Sequence, residues 1–215
     1  MPSSSLTVDR RAALKARHRQ AIVDAARRLI DAHHGPRFSV DELAAEADVS
    51  RRTVFNHFES LDDVILAACT EILDAVVSAF REAATGSGGR DGDVERVFGQ
   101  IVQAVRTTDL PQLTAYLWSA LGGADAPPAR QQRFMQVALS RVADDLTLEV
   151  LRRNPGIEPL DAELLVSSIL HGIAVIARRW IEEFGGSTTS TARGAWDVLV
   201  DRLVGRLRTG YGATA

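Results

Sequence analysis

Arg51, Arg52, Phe55 and Asn56 stand at i, i+1, i+4 and i+5, a spacing that brings all four to one side of a helix. Arginine pairs bidentately with the edge of guanine and asparagine with the edge of adenine, the commonest specific contacts in a DNA major groove. Thr53 and His57 lie between and after them, able to donate to phosphates or reach a base methyl. Ser39 precedes a second short helix, whose N-terminal amides and dipole would favour an anion such as a phosphate. A solvated polar face is the plainer reading of the same residues. The elements that hold them decide between the two.

Those elements are legible in the run Ser39 to Phe58, SVDELAAEADVSRRTVFNHF. Apolar spacing predicts one helix over 40–47, a turn through Asp48 and Val49, and a second helix over 51–57 capped by Ser50. Two helices crossing steeply need apolar contacts and a small residue at closest approach. Leu43, Ala47, Val49 and Val54 supply the contacts and Ala44 the small residue. Asp48 occupies the turn position where glycine is commonest, and aspartate tolerates left-handed backbone better than most residues. Ahead of them, a helix over 11–34 carries Ile22, Ala25, Ala26, Leu29 and His33 on one stripe. A basic arm from Arg10 to Arg19 holds Arg10, Arg11, Lys15, Arg17 and Arg19 and no acid. The formal net charge of −3 argues against nucleic acid, but its distribution matters more. Ten Lys/Arg face eight Asp/Glu through residue 60, so the basic excess lies at the N-terminal end.

The stretch from Phe38 through Leu66, FSVDELAAEADVSRRTVFNHFESLDDVIL, resembles the DNA-binding region of TetR-type transcriptional regulators over roughly residues 11–70. The specific part is Ser50 to Phe58 followed by Ser60 and the acidic pair Asp62-Asp63. The resemblance implies that Arg51, Arg52, Thr53, Phe55, Asn56 and His57 face operator DNA and that Ser39 sits against its backbone. The sequence departs from the pattern at two positions. Phe55 replaces the usual tyrosine and Leu61 a frequent lysine, removing two phosphate contacts and with them affinity and salt dependence. Arg10, Arg11 and Lys15 are expected to compensate.

Helical periodicity continues to the end of the chain, broken by Gly and Pro clusters at 86–92, 122–123, 127–128, 155–156 and 185–186. The expected fold is all-α with about nine helices: a three-helix DNA-binding domain over 1–60, with 1–9 disordered, and a ligand-binding and dimerisation domain over 61–215. Further helices are expected near 62–84, 93–107, 110–121, 128–153, 160–184 and 190–208. Ser60 with Asp63 resembles a capping box. The segment 160–184 is apolar nearly all round and the last helix has heptad-like apolar spacing. Leu165, Ile169, Gly172, Ile176, Trp196, Val200, Leu203 and Leu207 therefore form an expected four-helix interface between two copies, with ordinary intrachain packing as the alternative. Phe98, Tyr116, Trp118, Phe134 and Met135, with Arg106 or His171 as polar anchors, are candidates for an effector pocket suited to an apolar or aromatic molecule.

Other classes fit poorly. The five histidines are scattered, and no metal-ligand spacing, nucleophile elbow or phosphate-binding glycine loop is present. The carboxylate pairs Asp62-Asp63, Asp144-Asp145 and Glu182-Glu183 are consecutive and read as solvated surface. No catalytic residue, metal or cofactor is expected. Cys69 is the single cysteine, reads as buried packing and fits a reducing compartment. The N-terminus lacks the pattern of a secretory signal and no apolar run approaches the ~20 residues of a membrane span, so a cytoplasmic protein without membrane contact is expected. The expected partners are double-stranded operator DNA, a second copy of the chain and a small-molecule effector. The alternative is a DNA-bound structural or co-regulatory protein whose body meets a protein partner instead.

Overall fold

The computed structural model describes residues 3–83 and 94–211. Among them are nine α-helices: α1 (Ser3–His33), α2 (Val40–Glu46), α3 (Arg51–His57), α4 (Leu61–Ala83), α5 (Val94–Thr107), α6 (Leu110–Leu121), α7 (Pro128–Arg153), α8 (Pro159–Phe184) and α9 (Ser190–Tyr211). A single turn of 3-10 helix follows α6. The all-α expectation holds, and most boundaries fall within a residue or two of those read from periodicity. The exception is α1, whose backbone is already helical from Ser3, over residues where disorder was expected. No proline or glycine interrupts the chain from Ser3 to His34, so nothing stops the helix propagating in that direction.

The chain forms two compact units, Met1–Glu71 with Ser119–Gln131, and Ile72–Trp118 with Gln132–Ala215. The division therefore falls inside α4 and not at residue 60. A boundary within a continuous helix leaves no composition signal, and the segment 119–131 joins the first unit through tertiary contacts alone.

In the first unit α1, α2 and α3 pack on one another around Ile22, Val23, Ala25, Ala26, Ile30, Leu43, Ala44, Ala47 and Val54, all buried. The stripe on α1 turns toward Val23 and Ile30, leaving Leu29 half-buried and His33 exposed. His33 Nδ1 donates instead to the Arg37 carbonyl at 2.7 Å, bracing the connection to α2. At the end of α1, His34 takes the left-handed conformation (φ 51°) and the Gly35 amide returns to the Ile30 carbonyl at 3.0 Å. Ser119 Oγ donates to the His34 carbonyl at 2.9 Å. Arg130 donates to the Leu121 carbonyl at 2.9 Å and to Asp62 at 2.7 Å. Asp62 thus serves as a half-buried partner for arginine where a solvated acid was expected. Cys69 is fully buried, and burial pushes its thiol up to about 12, which makes it an inert packing residue.

The second unit is organised by α8 and α9. Val97, Phe98, Ile101 and Val102 of α5, Leu146 and Val150 of α7, and Leu165, Val166 and Ile169 of α8 share one core cluster. Ile176 and Trp180 pack with Ala192, Trp196 and Val200 of α9 in another. Trp180 is fully buried, its ring edge-on to Trp196 at 5.6 Å, and its Nε1 donates to the Ala192 carbonyl at 2.7 Å. Gly172 lets the two helices approach: a Cβ there would lie 2.4 Å from Leu203 Cδ1. By length and composition α8 is apolar enough to cross a membrane, contrary to the expectation that no run comes near. Its Ala162, Leu165, Val166, Ile169, Ile176 and Trp180 are buried in this unit, while Leu160, Leu164 and Val175 on another side stay exposed, so burial within one copy accounts for only part of its apolar composition.

Candidate nucleic-acid interface

The helix-turn-helix is built from its caps inward. Ser39 Oγ accepts the Glu42 amide at 3.2 Å, while the Glu42 carboxylate receives the Ser39 amide at 2.7 Å and the Ser39 hydroxyl at 2.8 Å. This is a complete capping box. Ser39 thus caps α2, and its amide and hydroxyl both donate to the Glu42 carboxylate. The amide and hydroxyl of Ser39 hold the Glu42 carboxyl below its ordinary value of 4.5. A depressed folded value means stability present above 4.5 and lost as pH falls through the folded value. Glu42→Gln is therefore expected to lower the melting temperature at neutral pH, with the difference from the parent shrinking as pH drops below 4.5. A difference independent of pH would show that charge plays no part.

The turn passes through Asp48 in the left-handed conformation (φ 51°), as its residue type suggested, and Ser50 caps α3. Ser50 Oγ accepts the Thr53 amide at 3.1 Å and lies 2.9 Å from Thr53 Oγ1. Thr53 is thereby half-buried and tied to the cap. Val54 faces the core, and this single inward residue turns Arg51, Arg52, Phe55 and Asn56 outward together. Phe55 is 49% exposed, an apolar ring held in solvent at the centre of the face. The Arg51 guanidinium is engaged by Asp41 of α2, with Nε at 3.2 Å from one carboxylate oxygen and Nη1 donating to the other at 3.3 Å.

His57 closes the far end of the face. Its ring stands edge-on to His18 of α1 at 6.2 Å. Partial burial, and then the positive charges of Lys15, His18 and Arg19, hold it below its ordinary value of 6.5. It is therefore neutral at neutral pH, with one ring N–H to donate. The C-terminal part of the basic arm thus reaches the recognition helix: Lys15 and Arg19 are exposed, and the Arg19 guanidinium lies 4.9 Å over the Phe58 ring. The side chains of Arg10 and Arg11 lie outside the described residues. Leu61 opens α4 half-buried.

Sequence reasoning missed the acids of this surface. Asp41 meets Arg51 across the turn, and Glu46 meets Arg28 of α1 at 2.5 Å. Both pairs join different helices, so helical spacing carries no sign of them.

Leu165, Ile169, Ile176, Trp196 and Val200 are buried against one another within a single copy, and Gly172, Leu203 and Leu207 are half-buried beside them. Intrachain packing describes the five buried side chains, whereas Gly172, Leu203 and Leu207 keep part of their surface. The apolar side chains that α8 and α9 leave exposed are Leu160, Leu164, Val175 and Val198. The pocket candidates do not converge. Arg106 pairs with Asp201 at 2.7 Å on the surface, and His171 is exposed with Nδ1 donating to the Ser167 carbonyl at 2.9 Å. Phe134 is buried, Tyr116 and Trp118 are half-buried, and Met135 is exposed. Phe98 alone lines an apolar cleft, with Val102, Val105, Ile169, Ile173, Val200, Leu203, Val204 and Leu207, which has room for about one water molecule.

Residues 22–68 match the family described as bacterial regulatory proteins, tetR family. No curated protein sequence matches the chain. Its fold is similar to the crystal structure of a TetR-family transcriptional regulator from Mesorhizobium loti MAFF303099, at 17% identity and a TM-score of 0.56, covering 89% of this chain and 97% of that one. A second similar structure, a TetR-family regulator from Shewanella sp. PV-4, is 20% identical with a TM-score of 0.41, covering 85% and 95%. The family match spans the helices that carry the exposed face of α3, and over residues 22–68 the chain is similar to that family of bacterial regulators.

Proposed function

We propose that the chain acts in the cytoplasm as a homodimeric repressor that binds a palindromic operator and is released by a small apolar or aromatic effector. The observation that carries the DNA reading is the outward face of α3, where Arg52, Phe55 and Asn56 are exposed with Arg51 beside them. Two such faces in a two-fold dimer read half-sites about one helical turn apart or a near multiple. The dimer contact is assigned to the apolar side chains still exposed on α8 and α9, not to those buried within one copy. Leu160, Leu164 and Val175 share one stripe of α8, and Val198 stands exposed on α9. Leu164→Glu with Val175→Glu is expected to give a folded monomer by analytical ultracentrifugation with much weakened operator binding. A dimer that survives both charges would place the contact elsewhere.

The effector is assigned to the apolar cleft beside Phe98, lined by α5, α8 and α9. Its closed form admits only about a water, so an effector would favour an opened form of the body. Helix α4 runs without a break from Leu61 to Ala83 and so belongs covalently to both units. A ligand that prefers the conformation with α4 displaced lowers operator affinity through that preference alone. The filled core and the exposed apolar stripe support a second reading, in which the body meets a protein partner rather than a small ligand. A panel of apolar and aromatic compounds tested for release of a selected operator separates the two. Release by any of them supports the sensor; none releasing while a protein co-purifies on the stripe supports the partner.

A further inference from the structure

We infer that Asp41 is a specificity-determining residue, a positioning group that sets Arg51 for base reading and discourages its use on phosphates. This rests on the reading of α3 as the recognition helix. Asp41 lies in the first turn of α2 and Arg51 opens α3, so the pair spans the turn of the motif. Both carboxylate oxygens are used, one 3.2 Å from Nε and the other accepting from Nη1 at 3.3 Å. The two side chains are 60% and 66% exposed, so the pair contributes little to folding. Its consequences lie at the DNA surface.

An arginine free on a flexible stem gains on any sequence by turning to the nearest phosphate. Held by Asp41, Arg51 makes that move only by giving up its carboxylate and leaving an acid facing the backbone. The penalty falls on non-specific complexes. On the matching base pair, the donors not used by Asp41 reach the base edge and the ion pair is kept. Asp41 thus restricts the guanidinium before binding and penalises wrong sites, the two routes by which affinities for right and wrong sites are driven apart. The neighbouring acid Glu42 is committed to the Ser39 cap and is not available for this role.

The test compares base-preference profiles, measured by selection from random-sequence duplexes, for the parent, Asp41→Ala, Arg51→Ala and the double variant. Preference is expected to fall by about tenfold at one and the same position of each half-site in all three variants, with no further loss in the double. Asp41→Ala alone is expected to bind random-sequence duplex more tightly, its salt slope steeper by about 0.9 per subunit as one phosphate contact is gained. Asp41→Asn, which keeps the side-chain shape, is expected to behave like Asp41→Ala in salt slope and guards against loss of folding, checked by melting. If Arg51→Ala alters the profile and neither Asp41 variant does, the inference is overturned and the recognition face stands. If no variant alters the profile, the recognition face itself is misplaced.

Discussion

Trp180→Ala is expected to lower the stability of the second unit by about 3–5 kcal/mol, the largest effect of any single substitution considered. Trp180 has no exposed surface, meets Trp196 edge-on at 5.6 Å and Phe184 at 6.2 Å, and sits between α8 and α9. Truncation removes a large apolar volume from a cluster it shares with Ile176, Trp196 and Val200. It also strips the Ala192 carbonyl of its 2.7 Å donor in the first turn of α9. Trp180→Phe restores most of the volume and none of that hydrogen bond, so about 1–3 kcal/mol of the loss should remain. Urea denaturation followed by circular dichroism measures both variants without relying on tryptophan emission. A loss under about 1 kcal/mol for the alanine variant would mean that α8 and α9 are held together by something other than this cluster.

Arg52→Ala is expected to flatten base preference at the position it reads by a factor between about 5 and 150, corresponding to about 1–3 kcal/mol for a bidentate pair. Arg52 stands one turn before Asn56 on the exposed face of α3. Arg52→Lys separates the two ways an arginine can serve. Lysine keeps the positive charge and the attraction to phosphates but lacks the planar fork that matches guanine. Affinity for random-sequence duplex should therefore survive in Arg52→Lys while preference falls nearly as far as in the alanine variant. Equal loss on all sequences, with preference intact, would make Arg52 a phosphate contact.

How much of this was legible in the sequence varies by element. Helix limits were readable because the apolar spacing and the serines ahead of α2, α3 and α4 each leave a local signature. Ser60 Oγ accepts the Asp63 amide at 3.2 Å and donates to its carboxylate at 2.8 Å, as the spacing suggested. The outward turn of Arg51, Arg52, Phe55 and Asn56 followed from the same periodicity, since Val54 alone faces inward. What was not legible depends on contacts between elements. The capping box of Ser39 with Glu42, a Ser followed three residues later by Glu, had a local signature that the reading of Ser39 as a cap left unused. Asp41 is ten positions from Arg51 and meets it only once the turn is folded. In α8, apolar on most sides, sequence identified a buried helix but not which side its own chain would cover. Leu165, Ile169 and Ile176 went to the intrachain core, and Leu160, Leu164 and Val175 were left outside. The segment 119–131 joined the first unit through the bonds of Ser119 to His34 and of Arg130 to Asp62, which no periodicity announces.

The function proposed for this chain depends on the face of α3 reading DNA sequence. Selection of bound duplexes from a random pool, run in parallel with the parent protein and Arg52→Ala, tests it most directly. The parent is expected to enrich an inverted repeat and the variant the same repeat with one position in each half-site degraded. Enrichment of one identical motif by both proteins, or of no motif by the parent, would contradict it.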